Sequence, residues 1–432
     1  MHIEIGHIIV AGTDIELPSM TRVRQSFPRP QLADVEAAVV SEFSRPGIGD
    51  RIKPGTRVAI GVGSRGIANL EEIARTVVRE VKQRGAEPFI VPAMGSHGGA
   101  TAEGQALLLS EYNIIEAQLG CPVRSSMEVV SLGSLPNGFP IVIDRLASES
   151  DLYLVIARIK PHTDFKARVE SGVLKMLSIG LGKHVAATQM HGQGMEAFPE
   201  LIPTAGLWVA DHSPFGFGLA IVENAFHEIA AISALPRDNL FERESELLVE
   251  AKRLMPRLLF NALDVLVVDE IGKNISGAGM DSNVIGRCAA KVDQGFDAPS
   301  IQRIVALDVT EESHGNACGV GLADVTTTRL IEKIDLSTMY ANVIAASAPE
   351  VSRLPLIMAS DDVAIRVAVK LCFGIEYGQA RIVRIKNTLS LNEIWCSPSL
   401  LDEVRSNPLQ TIEGQPEPWN FGSQGMLMAA TR

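Results

Sequence analysis

The 432-residue chain reads as an α/β protein of two α/β lobes with mainly parallel sheets and an active-site cleft expected between them. Three observations predict this class. An apolar run, an amphipathic stretch and a second apolar run succeed one another within residues 57–92, the pattern of a strand–helix–strand unit. The same alternation resumes after residue 262, and the length exceeds what one compact core accommodates. The lobes are drawn at 1–258 and 259–432, with the boundary expected near 255–262.

In chain order, Pro28 and Pro30 mark a turn before a short helical pattern over residues 32–42. Residues 57–62 form a short buried strand, and Gly63-Ser64-Arg65-Gly66 its loop. Leu70, Ile73, Ala74, Val77, Val78 and Val81 then recur on one face of a helix, with Glu71, Arg75, Arg79 and Lys82 outside. Asn69 with Glu72 three residues on resembles a capping box, and Gly85 is placed to stop the helix. A second strand over 88–92 leads into Met94-Gly95-Ser96-His97-Gly98-Gly99. The two strands are expected to run parallel with a right-handed crossover. Further strands are predicted at 139–143, 152–159 and 218–222, and an amphipathic helix over 236–255. Beyond it come strands at 265–268, 304–307, 356–358 and 381–384, with helices over 336–346 and 363–371.

Composition narrows the function classes. Lys and Arg number 39 against 51 Asp and Glu, a net charge of −12, so a nucleic-acid backbone is repelled on average. No apolar stretch reaches membrane-spanning length, and the N-terminus lacks a basic region followed by an apolar one. Five scattered cysteines without C-x-x-C spacing fit reduced thiols better than a disulfide frame or a zinc-thiolate site. A cytoplasmic enzyme acting on a small molecule is the expectation, with no nucleic-acid or membrane partner, and a homo-oligomer is compatible with it.

Arg65, His97, His162 and Lys273 each lie just after a predicted strand, where loops of an α/β sheet converge on one edge. Gly95, Gly98 and Gly99 around Ser96 and His97 let backbone approach a ligand closely. Lys160-Pro161 hold the His162 loop extended. Each histidine alone reads equally well as a structural residue. Together in one cleft they make an acid/base pair, and inversion of a carbon requires a base on each face. Lys175, among apolar neighbours, is either a desolvated nucleophile or a lysine whose stem packs while its amine reaches solvent. His191 and the nearby His184 compete as a metal ligand.

The order Gly63-Ser64-Arg65-Gly66, Gly95-Ser96-His97-Gly98, Lys160-Pro161-His162, the Lys175 loop and His191 resembles the nickel-pincer, lactate racemase-like isomerases over most of residues 20–290. That resemblance implies a nickel-pincer nucleotide, a pyridinium mononucleotide with two sulfur-bearing arms, joined to Lys175 through a thioamide. It also implies His191 as the nickel ligand and His97 and His162 as the acid/base residues. By the same resemblance Arg65 and Lys273 hold oxyanions of substrate or cofactor, and Gly95 and Ser96 line the cofactor. The implied reaction is racemisation or epimerisation of a 2-hydroxy acid, the α-hydrogen leaving as hydride to the cofactor.

Three departures fall in the substrate half. No acidic residue stands shortly before Arg65, the stretch from His162 to Lys175 is slightly long, and glycine follows His97. These point away from lactate itself. Two other readings are an NAD-type oxidoreductase of hydroxy acids and a non-enzymatic binder of small organic acids. Against the first, the Gly61-Val62-Gly63-Ser64-Arg65-Gly66 run begins inside the opening strand and does not lie between the strand and its helix as the dinucleotide fingerprint requires. Against the second, a binder has no use for two histidines around one carbon.

Overall fold

The computed structural model describes residues 14–64, 66–289 and 295–428. The chain divides into two compact units, one of residues 28–255 and the other joining the N-terminal residues up to Phe27 to the segment from Pro256 onward.

The first unit is built on a five-stranded sheet ordered Glu87–Pro92, Arg57–Val62, Leu152–Arg158, Phe215–Glu223, Ile229–Pro236. The first four strands are parallel and the last antiparallel. Alternate side chains feed two cores. Val58, Ile60 and Val62 pack with the helix Leu70–Gln83, while Ala59, Phe89 and Val155 pack with Phe165, Leu174 and Phe198. Burial on both faces is why these strands read as continuous apolar runs rather than alternating ones. In Leu70–Gln83 the predicted face is buried: Ile73, Ala74, Val77 and Val81 are all inaccessible.

Several expectations are corrected. Asn69 adopts a left-handed conformation (φ 56°) and does not cap the helix; its amide donates to Glu72 Oε2 at 2.7 Å instead. The strand expected at 139–143 is Pro140–Asp144, which pairs with Val129–Ser134 in a separate two-stranded sheet. The stretch expected as one helix over 236–255 starts later, as Leu240–Leu254, because Ile229–Pro236 first closes the sheet edge.

The second unit carries an eight-stranded sheet. Leu356–Met358, Val325–Thr327, Ser300–Ala306, Ala262–Val268 and Ile382–Ile385 are parallel neighbours. Glu393–Cys396, Met20–Gln25 and Gln410–Glu417 extend them antiparallel. Residues 20–25, assigned by sequence to the N-terminal lobe, therefore lie in the sheet of the other unit. The buried Gln25 side chain fastens them there, donating to Leu391 O (2.7 Å) and accepting from Leu259 N (3.1 Å). Pairing between residues this distant in sequence leaves no local pattern. Among the described residues no helix is long and apolar enough to cross a membrane.

Candidate active site

The four parallel strands of the first unit end at Val62, Pro92, Arg158 and Glu223 on one edge. The loops that follow carry the candidate residues, as expected for a parallel sheet.

Next to Arg158 the chain runs through Lys160-Pro161-His162 and closes on itself. Buried Glu170 does the closing, accepting from His162 N (2.6 Å) and Ala167 N (3.2 Å) and pairing with Lys252 Nζ at 2.6 Å. The His162 side chain is 12% exposed, and its ring lies 4.4 Å from that of Phe165. Burial, then the charges of Lys175, Lys160, His191 and Lys166, hold its pKa well below the usual histidine value. The imidazole is therefore neutral near pH 7. Its Nδ1 accepts from Asp164 N–H (3.1 Å), and the Asp164 carboxylate lies 3.6 Å from the same atom.

Lys175 ends the short helix Val173–Lys175. Directly after it the helix widens by one residue: Leu181 N donates to Met176 O at 2.8 Å, spanning five residues. Such a bulge re-aims side chains and is frequent at functional sites. Beneath the start of this helix lies Glu244, fully buried, accepting from Leu174 N at 2.9 Å. No Cβ fits at Gly172, where it would fall 2.3 Å from Glu244 Oε1. That oxygen has no hydrogen-bond partner, and burial pushes the Glu244 pKa up to about 8.

One prediction follows from Glu244. The native carboxyl keeps its proton to about pH 8, whereas the unfolded one releases it near the ordinary value, so the native state binds more protons between those limits. Stability should fall across that window by up to about 1.4 kcal/mol per pH unit from this one group. Urea unfolding at pH 5 and pH 8 checks this. Glu244→Gln, an isostere of the protonated form, should flatten the slope, and an unchanged slope would assign it to other groups.

His191 closes the helix Lys183–His191. Its ring stands 5.3 Å from Phe198, which is 5.6 Å from Phe165, so the two buried phenylalanines form an apolar floor connecting His162 with His191. Burial, then the Lys175 charge, pushes the His191 pKa down to about 4. Its Nδ1 is buried with no hydrogen-bond partner. His184, by contrast, is exposed and its Nδ1 meets Thr188 Oγ1 at 3.3 Å. The structure thus gathers His162, Lys175 and His191 and turns His184 away.

The His97 loop abuts the widened turn: Gly95 (φ 58°) donates its N–H to Gly180 O at 3.0 Å. A Cβ at Gly180 would lie 2.7 Å from Ala93 O, so close backbone contact joins the two segments. Ser96 is half-exposed and His97 exposed. Ser64 Oγ contacts His97 Nδ1. Gln105, fully buried, braces the loop by donating to Gly95 O (2.9 Å) and His97 O (3.2 Å).

Arg65 lies outside the described residues. Lys273 belongs to the second unit, where its Nζ donates to Gly277 O at 2.6 Å and its backbone N–H to Ser313 Oγ at 2.9 Å. The 310–316 segment packs on the same turn through Thr310 and Asn274, with His314 exposed at its end. Sequence reasoning placed Ser64 in the loop after the first strand without giving it a role, and missed Glu170, Glu244 and the two phenylalanines as parts of this edge. Only Glu170-Ser171-Gly172, a carboxylate beside small residues, offered a signal.

Residues 20–198 match the family model of the lactate racemase N-terminal domain. Over that segment the chain is lactate racemase-like. Two solved structures are similar to it. The lactate racemase apoprotein from Thermoanaerobacterium thermosaccharolyticum is 15% identical with a TM-score of 0.49, over 85% of this chain and 94% of that one. A Thermotoga maritima protein is 14% identical with a TM-score of 0.49, over 84% of this chain and 99% of that one. Among curated proteins no sequence matches. The lactate racemase-like segment contains His97, His162, Lys175 and His191 and ends with Phe198, the ring beneath His191.

Proposed function

We propose that the protein is a racemase or epimerase of a 2-hydroxy acid larger than lactate, working with a nickel-pincer nucleotide held by Lys175 and His191. The observation that carries this reading is the convergence of one lysine on two half-buried neutral imidazoles, one of them with a buried, orphaned ring nitrogen. A buried nitrogen without a partner costs free energy unless something accepts its lone pair, and a neutral imidazole is what a metal takes. The donor set fits: imidazole nitrogen with the cofactor's sulfur suits nickel. When bound, such a cofactor supplies a hydride acceptor beside the substrate carbon.

The chain's own residues supply the rest. Lys160, Lys166 and Lys175 give the His162 environment a positive potential that suits a carboxylate. His162 and His97 exchange the hydroxyl proton, each serving one enantiomer. For His162 to take a proton on Nε2, Nδ1 must carry one, and the Asp164 carboxylate then replaces Asp164 N–H as its partner. Phe165 and Phe198 keep water from the floor of the site.

His191→Ala should lower nickel content of the cofactor-loaded protein at least about 10-fold, the lower end of what altering a metal's surroundings costs. His184→Ala should leave it unchanged. Metal analysis of the purified variants decides, and the reverse pattern would make His184 the ligand.

The substrate class is tested by incubating loaded enzyme with single-enantiomer 2-hydroxy acids, sugar acids included, and following optical purity. Longer acids should lose it fast and lactate at least about 10-fold more slowly, the discrimination available from one or two methylene contacts. Turnover of lactate alone refutes the size argument. No turnover of any hydroxy acid by loaded protein refutes the class.

A further inference from the structure

We propose that Ser64 is a positioning residue for His97: its hydroxyl accepts from Nδ1–H, so that the lone pair of Nε2 meets the substrate hydroxyl. The inference rests on the reading of His97 as an acid/base residue. Its own basis is the contact of Ser64 Oγ with His97 Nδ1, made between the loops that follow Arg57–Val62 and Glu87–Pro92.

Both partners are held from outside the pair. Tyr112 donates its hydroxyl to Ser64 O at 3.3 Å, and Gln105 donates to the backbone carbonyls of Gly95 and His97. The two rings of constraint leave the serine hydroxyl and the imidazole facing each other across the loop gap. With Nδ1 engaged there, a proton exchanged with substrate passes through Nε2. The substrate O–H bond breaks, its proton forms a bond to Nε2, and the imidazolium keeps its Nδ1–H on Ser64 throughout. The reverse reaction returns the same proton from Nε2. A serine suits this duty because the hydroxyl is neutral: it orients the ring without holding the acquired proton as a carboxylate would. Gly61, Val62 and Gly63, which precede it in the chain, offer no polar side chain for the task.

The test has two arms. In unloaded protein, ¹⁵N NMR of the histidines, with His97 assigned by its loss in His97→Gln, reports the tautomer of the neutral ring. Wild type should hold the proton on Nδ1, Ser64→Ala should move it predominantly to Nε2, and Ser64→Thr should restore it. In loaded enzyme, Ser64→Ala should lower kcat about 10-fold with KM nearly unchanged, the worth of one neutral hydrogen bond, and Ser64→Thr should recover most of it. The same tautomer in wild type and Ser64→Ala overturns the proposal, as does unaltered kcat in Ser64→Ala. Loaded wild type that turns over no hydroxy acid would instead refute the proposed function, an outcome the first arm does not share.

Discussion

Replacing Lys175 by alanine is expected to abolish turnover and to remove the covalent mass carried by loaded protein. Protein made together with the cofactor-synthesis enzymes should weigh more than the 46.4 kDa chain, and the variant should not. Turnover should fall at least about 10⁶-fold, the lower end of what enzymes gain over uncatalysed reactions. Lys175→Arg should fail equally, since a guanidinium is not the amine that a thioamide link needs. The nearby Lys183 cannot take over. Its amine is enclosed with Asp144 and its side chain is inaccessible, whereas Lys175 is half-exposed beside His162 and His191. Intact-protein mass spectrometry with a racemisation assay decides, and an unmodified Lys175 in active protein would overturn the assignment.

Removing Lys183 is expected to produce the largest loss of stability. Its Nζ lies 3.0 Å from Asp144 Oδ2, both side chains wholly buried. Nζ also donates to Pro92 O and reaches Gln105 Oε1 at 3.4 Å. The backbone there is left-handed (φ 56°) although the residue is not glycine. Burial lowers the Lys183 pKa and Asp144 opposes that shift. Lys183→Met strands the Asp144 charge in the interior, and breaking a buried pair in this way costs about 3–5 kcal/mol. Adding Asp144→Asn should recover much of the loss, because both charges are then gone and the asparagine oxygen still accepts from Ala147 N, which Asp144 Oδ1 does at 2.8 Å. Urea unfolding of unloaded protein reads the effect. A single variant within about 1 kcal/mol of wild type, the scale of one ordinary hydrogen bond, would mean that the pair contributes little. Because Gln105 links this lysine to the carbonyls of Gly95 and His97, the same network keeps the His97 loop in place.

Much of the framework was legible in the sequence wherever the forces are local. The strands Arg57–Val62 and Glu87–Pro92 and the helix Leu70–Gln83 follow from runs and periods whose side chains need burial on two faces or on one. The glycines of the 95–99 loop were read as letting backbone approach a ligand; in the fold, Gly95 lies against the backbone of Gly180. The order of histidines and lysines along the chain suggested which loops share an edge.

Tertiary structure alone decided what those residues experience. By residue type His184 and His191 competed as a metal ligand, and only the resemblance favoured His191; packing against Phe198 half-buries that ring, while His184 faces solvent. Lys175 faces two imidazoles, while Lys183, which the sequence did not single out, is locked to an aspartate 39 residues upstream. The strand Met20–Gln25 joined the sheet of residues nearly four hundred positions away. Desolvation and pairing arise from neighbours distant along the chain, so they shift a pKa or place a strand without leaving any periodic mark in the sequence around it.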